Sequence, residues 1–288
     1  GREVRIEHAK NEMREFLVDL PMEAVEAHIA RGYPSYWLSF DVDTHAWHAR
    51  IAYEAKFRAE PLTIKSRVDT SKAVTELTIY AIDHPGLFSR IAGAMAVSGA
   101  HIVDAKIFTT TDGMALDTFW IQDDNGEAYD RADKLARLYT RIEKTLAGDL
   151  RPWEEFEKET GLPNRMSVFK VAPRVLVDNA ASRTHTVIEV NGRDRPGLLY
   201  DLTRALSALN LQISSAHITT FGEKAVDVFY VKDVFGLQVT HKNKLDQIHA
   251  DLLTTMVVDK DTDEILAATP GEINTSITNA RSNATAAE

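Results

Sequence analysis

At 288 residues, 44% of them hydrophobic and 26% charged, the chain is long enough for two or three domains with proper cores and ordinary enough for a globular protein. Its formal charge of −10 excludes a nucleic-acid binder that works by neutralising phosphates, and no Lys/Arg cluster offsets it. Having no cysteine, it has no disulfide, thiolate nucleophile or Cys-based zinc site. No apolar run approaches the roughly 18 residues that span a bilayer, so no membrane partner is expected; no signal peptide is visible, and the expected location is cytoplasmic.

The chain starts Gly-Arg-Glu-Val, without Met, inside a helix-like run, which reads as a piece of something larger. Residues 3–30 are charged and helical in period, with Ile6, Met13, Phe16, Leu17, Leu20, Val25 and Ile29 as the apolar stripe and a break at Pro21. Thr44 to Phe57 is a second amphipathic helix, and Pro61 to Lys72 reads as a linker. Then come a strand (Val74–Ile82), a helix (Pro85–Ser98), a strand (His101–Thr110), a turn at Asp112-Gly113, a strand (Met114–Gln122) and a helix (Ala128–Leu146). The same order returns in Thr186–Asn191, Pro196–Ala208, Gln212–Phe221, Ala225–Lys232 and Lys242–Thr255.

The return is a repeat in sequence as well. Asp83-His84-Pro85-Gly86-Leu87-Phe88 answers Asp194-Arg195-Pro196-Gly197-Leu198-Leu199, and Ala-Leu-Asp-Thr-Phe-Trp-Ile (115–121) answers Ala-Val-Asp-Val-Phe-Tyr-Val (225–231). The offset is 111 residues from Asp83 to Asp194 and 110 from Asp117 to Asp227, so one residue was gained or lost in a hairpin turn between them. This pattern gives two βαββαβ modules of ferredoxin-like, α+β architecture, with helices on one face of each antiparallel sheet. The closing strand of each sheet is open. Ser167–Val171, Arg174–Val177 and Met256-Val257-Val258 are the candidates, and one inter-repeat run suits the second sheet. The expected divisions are a helical connector (1–72), two modules (73–180 and 181–260) and a disordered tail (261–288).

In each Asp-x-Pro-Gly-Leu loop the Pro suits the first turn of a helix, where a missing N–H costs nothing. Gly lets a ligand approach the backbone, the open helix N-terminus seats a carboxylate, and the Asp suits an ammonium group. Together these are the needs of a free α-amino acid. The same residues are also ordinary turn-and-cap chemistry; taken once that reading dominates, and the repeat brings the two level. His28, His45 and His48 lack a carboxylate cluster to make a metal site and read as surface or packing residues. Asp41-x-Asp43 lacks the Gly-Ser turn of a metal-phosphate site, and Thr44 after it reads as a helix cap. Trp37, Trp47, Trp120 and Trp153 read as core or interface. The Asn274-Thr275-Ser276 sequon lies in the tail. No triad, P-loop or dinucleotide fingerprint is present.

The two loops resemble those of ACT domains, modules that bind amino acids at domain interfaces and regulate enzymes. Tyr36-Trp37-Leu38, the stretch Asp43-Thr44-His45-Ala46-Trp47-His48-Ala49-Arg50, Phe169-Lys170-Val171 and Val175-Leu176-Val177-Asp178-Asn179 narrow the resemblance. They are similar to the C-terminal part of the bacterial bifunctional uridylyltransferase/uridylyl-removing family, which modifies the PII nitrogen-signalling protein. The Gly-Ser…Asp-x-Asp transferase signature and the His-Asp core of the hydrolase are both missing from this chain.

The resemblance implies a non-catalytic regulatory region that senses L-glutamine, with PII and the family's own catalytic domains as partners, a possible homo-oligomer, and magnesium for the catalytic domains alone. The implied ligand contacts are Asp83, His84, Pro85, Gly86, Leu87 and Phe88 with Asp194, Arg195, Pro196, Gly197, Leu198 and Leu199. Backbone groups of Ile102, Val103, Asp104 and Ala105 and of Ile213, Ser214, Ser215 and Ala216 would read the side-chain amide. Two alternatives stay open: a regulatory module of another amino-acid-regulated enzyme, such as a kinase of aspartate metabolism, and a dimerisation scaffold whose loops bind nothing.

Overall fold

Alternating apolar residues from Val74 and from Thr186 seed one eight-stranded antiparallel sheet in a computed structural model that describes residues 1–152, 154, 171–195 and 197–257. Four helices come first: α1 (Arg2–Phe16), α2 (Met22–Arg31), α3 (Pro34–Trp37) and α4 (Val42–Arg58). The first half holds β1 (Leu62–Asp69), β2 (Val74–Ile82), α5 (Leu87–Val97), β3 (His101–Thr109), β4 (Met114–Gln122) and α6 (Ala132–Leu146). The second holds β5 (Arg174–Asp178), β6 (Thr186–Arg193), α7 (Leu198–Ala208), β7 (Gln212–Phe221), β8 (Lys224–Lys232) and α8 (Lys242–Val257). The strand order is β1-β2-β4-β3-β7-β8-β6-β5.

Each half has the ferredoxin-like sheet expected, but its edge strand precedes the motif instead of closing it. β1 lies within the stretch read as a linker, and Leu62 pairs with Ala81 and Asp69 with Val74 along β2. Arg174–Asp178, which the sequence division groups with the first module, pairs antiparallel with β6. Met256 and Val257 end helix α8. The other candidate run, 167–170, lies outside the described residues, as do Val258, Trp153 and the tail. A short hairpin into the first strand of each motif closes the sheet with less loop than a return from the last helix would need.

The two halves meet where β3 pairs with β7, with Ala105 opposite Ala216. These residues are 111 apart, the repeat offset itself, so the halves are related about this point as two subunits of an isologous dimer are. A β-bulge interrupts the pairing of each seam strand with its inner neighbour, at Val103 in β3 and Ser214 in β7. Inward residues of both halves form one continuous core, with Phe119 and Phe229 at equivalent positions, under α5 to α8. Helix α5 comes close to α7 because it carries Gly93: a Cβ there would stand 2.8 Å from the Tyr200 ring and 2.9 Å from Pro152.

Helices α1 to α4 cover the opposite face of the first half only, around Tyr80 and Leu116. His28, His45 and His48 are all buried there, not on the surface. His28 Nε2 and His48 Nδ1 both hydrogen-bond the Tyr36 hydroxyl, at 2.9 and 3.0 Å, and His48 Nε2 reaches Thr118 Oγ1 on β4 at 3.0 Å. Burial holds all three imidazoles neutral, pushing His28 down to about 3. Asp41, not Thr44, caps α4, accepting from the Thr44 N–H at 2.9 Å. Trp37 is fully buried, as expected of a core residue.

The turns that follow β4 and β8 share one hydrogen-bond plan. The Asp123 carboxylate accepts from the Asn125 and Glu127 N–H groups, and Asp233 accepts from Phe235 and Leu237. Their tips differ: the first carries Asp124, Asn125 and Glu127, the second the exposed Val234, Phe235 and Leu237.

Gly93→Val is expected to lower stability by about 1–3 kcal/mol through overpacking of α5 against Tyr200. Urea unfolding followed by circular dichroism checks this, and an unchanged midpoint would show that α5 and α7 are free to part.

Candidate functional site

The site grows from the strand-to-helix turns. In the first loop Asp83 leaves β2 with its N–H on the Gly113 carbonyl at 3.1 Å, and Gly86 is the N-cap of α5 at φ 82°. In the second, Asp194 leaves β6 with its N–H on the Glu223 carbonyl at 2.8 Å, and Gly197 caps α7 at φ 76°. Only glycine takes this left-handed backbone without strain. The proline of the first loop therefore stands before the N-cap and not in the first helical turn as the sequence suggests; Pro196 lies outside the described residues. Neither N-cap glycine has a side chain to cap its helix, so among the described residues first-turn N–H groups are left for another acceptor.

Beside the second loop is a cavity of about 170 Å³ between the two halves. That is many times the space a single water needs, the scale of a small polar molecule. From the second half it is lined by Asp194, Arg195, the α7 start from Gly197 to Tyr200, Ile218, Thr220, Ala225 and Asp227. The first half adds Ala92, Ala96 and Ala100 and the beginning of β3, His101 and Ile102.

Its electrostatics are uneven. Asp227, in the middle of β8, is 2% exposed, and its Oδ1 has no hydrogen-bond partner among the described residues. Burial, with the Asp194 charge adding to it, pushes its carboxyl up to about 7, against the pull of the Thr219 N–H. Asp194 is exposed as a residue, yet its carboxyl at the cavity mouth is also raised, mainly by desolvation, with His101 opposing. Arg195 ion-pairs with Asp201 at 2.7 Å and donates to the Thr255 carbonyl at 3.3 Å, while its buried Nε has no partner among the described residues.

The first loop is engaged differently. Asp83 Oδ2 accepts from Thr109 Oγ1 at 2.8 Å, and His84 Nδ1 lies 3.1 Å from the Pro85 carbonyl. Leu87 and Phe88 are core residues of α5, and Leu198 is likewise buried, with Leu199 half-buried. A Cβ on Gly86 would lie 3.7 Å from Ser207 Oγ on α7, so this loop too faces the other half.

The implied amide-reading segments lie along the seam. Ile102 reaches the cavity; Val103 and Ser214 are the bulges; Ala105 and Ala216 are the seam pair. Asp104 pairs with His217 across the seam at 3.3 Å. Ile213 and Ser215 are half-buried on β7. The cavity thus joins Ile102 to Asp194, Arg195, Gly197, Leu198 and Leu199; Pro196 is outside the described residues, and the other expected contacts do not line it.

Residues 181–259 match the family model for the ACR family N-terminal ACT domain. The bifunctional uridylyltransferase/uridylyl-removing enzyme of Azospirillum brasilense is 57% identical over 255 residues, covering 88% of this chain. Its namesakes from Gluconobacter oxydans and Rhodospirillum rubrum are 49% and 46% identical over the same share. The chain belongs, as a regulatory ACT segment, to this enzyme family. It spans 27% of the length of each of these three relatives. Aspartate kinase from Synechocystis aligns over 63% of this chain and 26% of its own at 16% identity and TM-score 0.33, too remote to carry an argument.

One buried cavity-lining carboxyl escaped the sequence reading, Asp227; its repeat equivalent, Asp117, does not line the cavity but shares its surroundings in the strand. Each takes an inward position in an otherwise apolar strand, flanked two residues away by a buried Ala and a buried Phe. A carboxyl on the buried phase of a strand, in both copies, was the available signal. Asp117 is 1% exposed with an unpartnered Oδ1, and burial pushes its carboxyl well above its ordinary range, with Asp83 adding to the push.

Because the Asp117 pKa is raised on folding, the folded chain holds a proton that the unfolded chain gives up above about pH 4, and stability falls as pH rises. Asp117→Asn removes that dependence. Its stability relative to the parent chain should improve as pH rises from 5 to 6, by at most about 1.4 kcal/mol. Urea unfolding at the two pH values measures the gap; a gap that does not move would show Asp117 ionised in the fold.

Proposed function

We propose that this chain is the glutamine-sensing regulatory region of an enzyme that adds UMP to the PII protein and removes it, with L-glutamine bound in the cleft between the two ACT halves. The observation that carries the reading is the cavity beside the second loop, which offers complementary groups to both ends of an amino acid. The uncapped first turn of α7 and the unpartnered Arg195 Nε suit the carboxylate. Asp194 suits the ammonium at the mouth, and the start of β3 suits the side-chain amide. A neutral amide needs a donor and an acceptor opposite it, and glutamate would set an oxygen against an acceptor. Such a mismatch costs about 1–3 kcal/mol when buried, enough to discriminate. The transfer and removal of uridylyl groups come into this reading through relatives so named, and the PII partner through the family resemblance of the sequence.

Regulation requires that glutamine prefer one arrangement of the halves against the rest of the enzyme, since equal affinity for both shifts nothing. Helices α1 to α4 are the lever in this proposal.

Isothermal titration of the chain should show saturable heat with L-glutamine and at least tenfold weaker binding of L-glutamate and L-aspartate. Asp194→Ala should weaken glutamine binding at least tenfold while leaving the circular dichroism spectrum unchanged. A folded chain silent to all three amino acids would favour the scaffold reading, and preference for another amino acid would favour a different regulated enzyme.

A further inference from the structure

Asp227 presents an unused acceptor at the bottom of the cavity: a carboxyl 2% exposed, lining the space, with Oδ1 unpartnered among the described residues. A native fold rarely leaves such an atom without reason, because desolvating it without a partner is costly. The position is not needed for the strand itself, whose other inward residues, Ala225, Phe229 and Val231, are apolar. Asp194 stands above it at the cavity mouth, and its charge adds to the cost of ionising Asp227.

We propose that Asp227 and Asp194 together seat the ligand's ammonium group, and that the proton on Asp227 must leave for the ligand to bind. The inference rests on the amino-acid-sensor reading and deepens it, by assigning a positioning role for the amino group to a strand residue. A cation between the two carboxyls cancels their repulsion and supplies the hydrogen bond that Oδ1 lacks. The proton passes to solvent, so binding is linked to pH.

The groups facing Asp227 fix the direction. From the loop before α7 come Asp194, which opposes ionisation, and Arg195, whose charge is turned to Asp201. From β3 comes His101, which is held by Asp124 at 2.7 Å. Among the described residues lining the cavity, α7 adds Tyr200, β7 adds Ile218 and Thr220 with the Thr219 N–H nearby, and α5 adds Ala92 and Ala96. With the free carboxyl near 7, the ionised fraction and hence the apparent affinity rise about tenfold between pH 6 and pH 8.

The experiment is titration of the 288-residue chain with L-glutamine at pH 6, 7 and 8, for the parent, Asp227→Asn and Asp117→Asn, and with the glutamine analogue that lacks the α-amino group. Expected are a tenfold gain in parent affinity across the range, a flat and at least tenfold weaker profile for Asp227→Asn at pH 8, and a parent-like profile for Asp117→Asn. The analogue should bind weakly and without pH dependence. Asn matches the neutral Asp in shape, and if Asp227→Asn fails to fold, the parent profiles with the two ligands still decide. Glutamine binding that is flat with pH in the parent, or equal in Asp227→Asn, overturns the role of Asp227 and leaves the sensor reading standing. A parent chain that binds no amino acid overturns both.

Discussion

The antiparallel pairing of β3 with β7 is the contact on which the rest of the structure depends. Either half alone would end in an exposed strand with a row of unpaired backbone groups. Pairing closes both edges at once, and the alanines at its centre, each fully buried, leave room for α5 and α7 to meet above it. The cleft is a by-product of that meeting. One wall comes from each half, so its width is set by how the halves sit on each other. A ligand that touches both walls binds one relative position of the halves in preference to others.

The two faces of the sheet have separate duties. The cavity lies on the helix-covered face. Lys106, His48 and Arg67 fasten the N-terminal helices to the reverse face of the same strands. Lys106 Nζ donates to the Ser39 carbonyl at 2.6 Å from β3 itself, a strand that also lines the cavity. Arg67 on β1 binds both Asp43 of α4 and Glu76 of β2, at 2.6 and 2.9 Å. A displacement of β3 at the cavity would therefore be passed to the turn between α3 and α4 that Lys106 holds. Buried neutral histidines make that layer a packed, hydrogen-bonded unit able to transmit such a displacement.

Much of this was legible in the residues. The doubled Asp-x-Pro-Gly-Leu loop, the alternating strands and the 111-residue offset announce two like modules, and the seam pair obeys that offset. The edge strand β1 reads as a linker: Leu62, Ile64 and Val68 do alternate with polar residues, but Ser66 interrupts the apolar phase, and Lys65 and Arg67 on the other phase serve ion pairs to Glu54 and Asp43. Pro85 stands outside the helix its residue type suggests, since the need for a left-handed residue at Gly86 outweighs the preference of proline for a first turn. The buried carboxyls share a strand phase with Ala and Phe, but in β4 the other phase, with Leu116 and Trp120, is as apolar, so the residues alone do not say which phase faces the core. Only the register that turns Asp117 and Asp227 inward makes them unusual. The difference between the two loops, of which the second borders the cavity, depends on contacts between the halves, which local pattern does not encode.

The two turns that share one hydrogen-bond plan but carry opposite surfaces reveal an advantage of joining the halves in one chain. In a dimer of identical subunits every substitution is made twice, and both clefts and both turns must accept it. Here a change touches one copy only. The carboxyl-bearing scaffold at Asp123 and Asp233 is kept as a rigid mount, while what it displays, charge in one place and Phe235 in the other, is chosen independently. Duplication within the chain preserves the geometry of a symmetric pair and releases it from the obligation to be symmetric in chemistry.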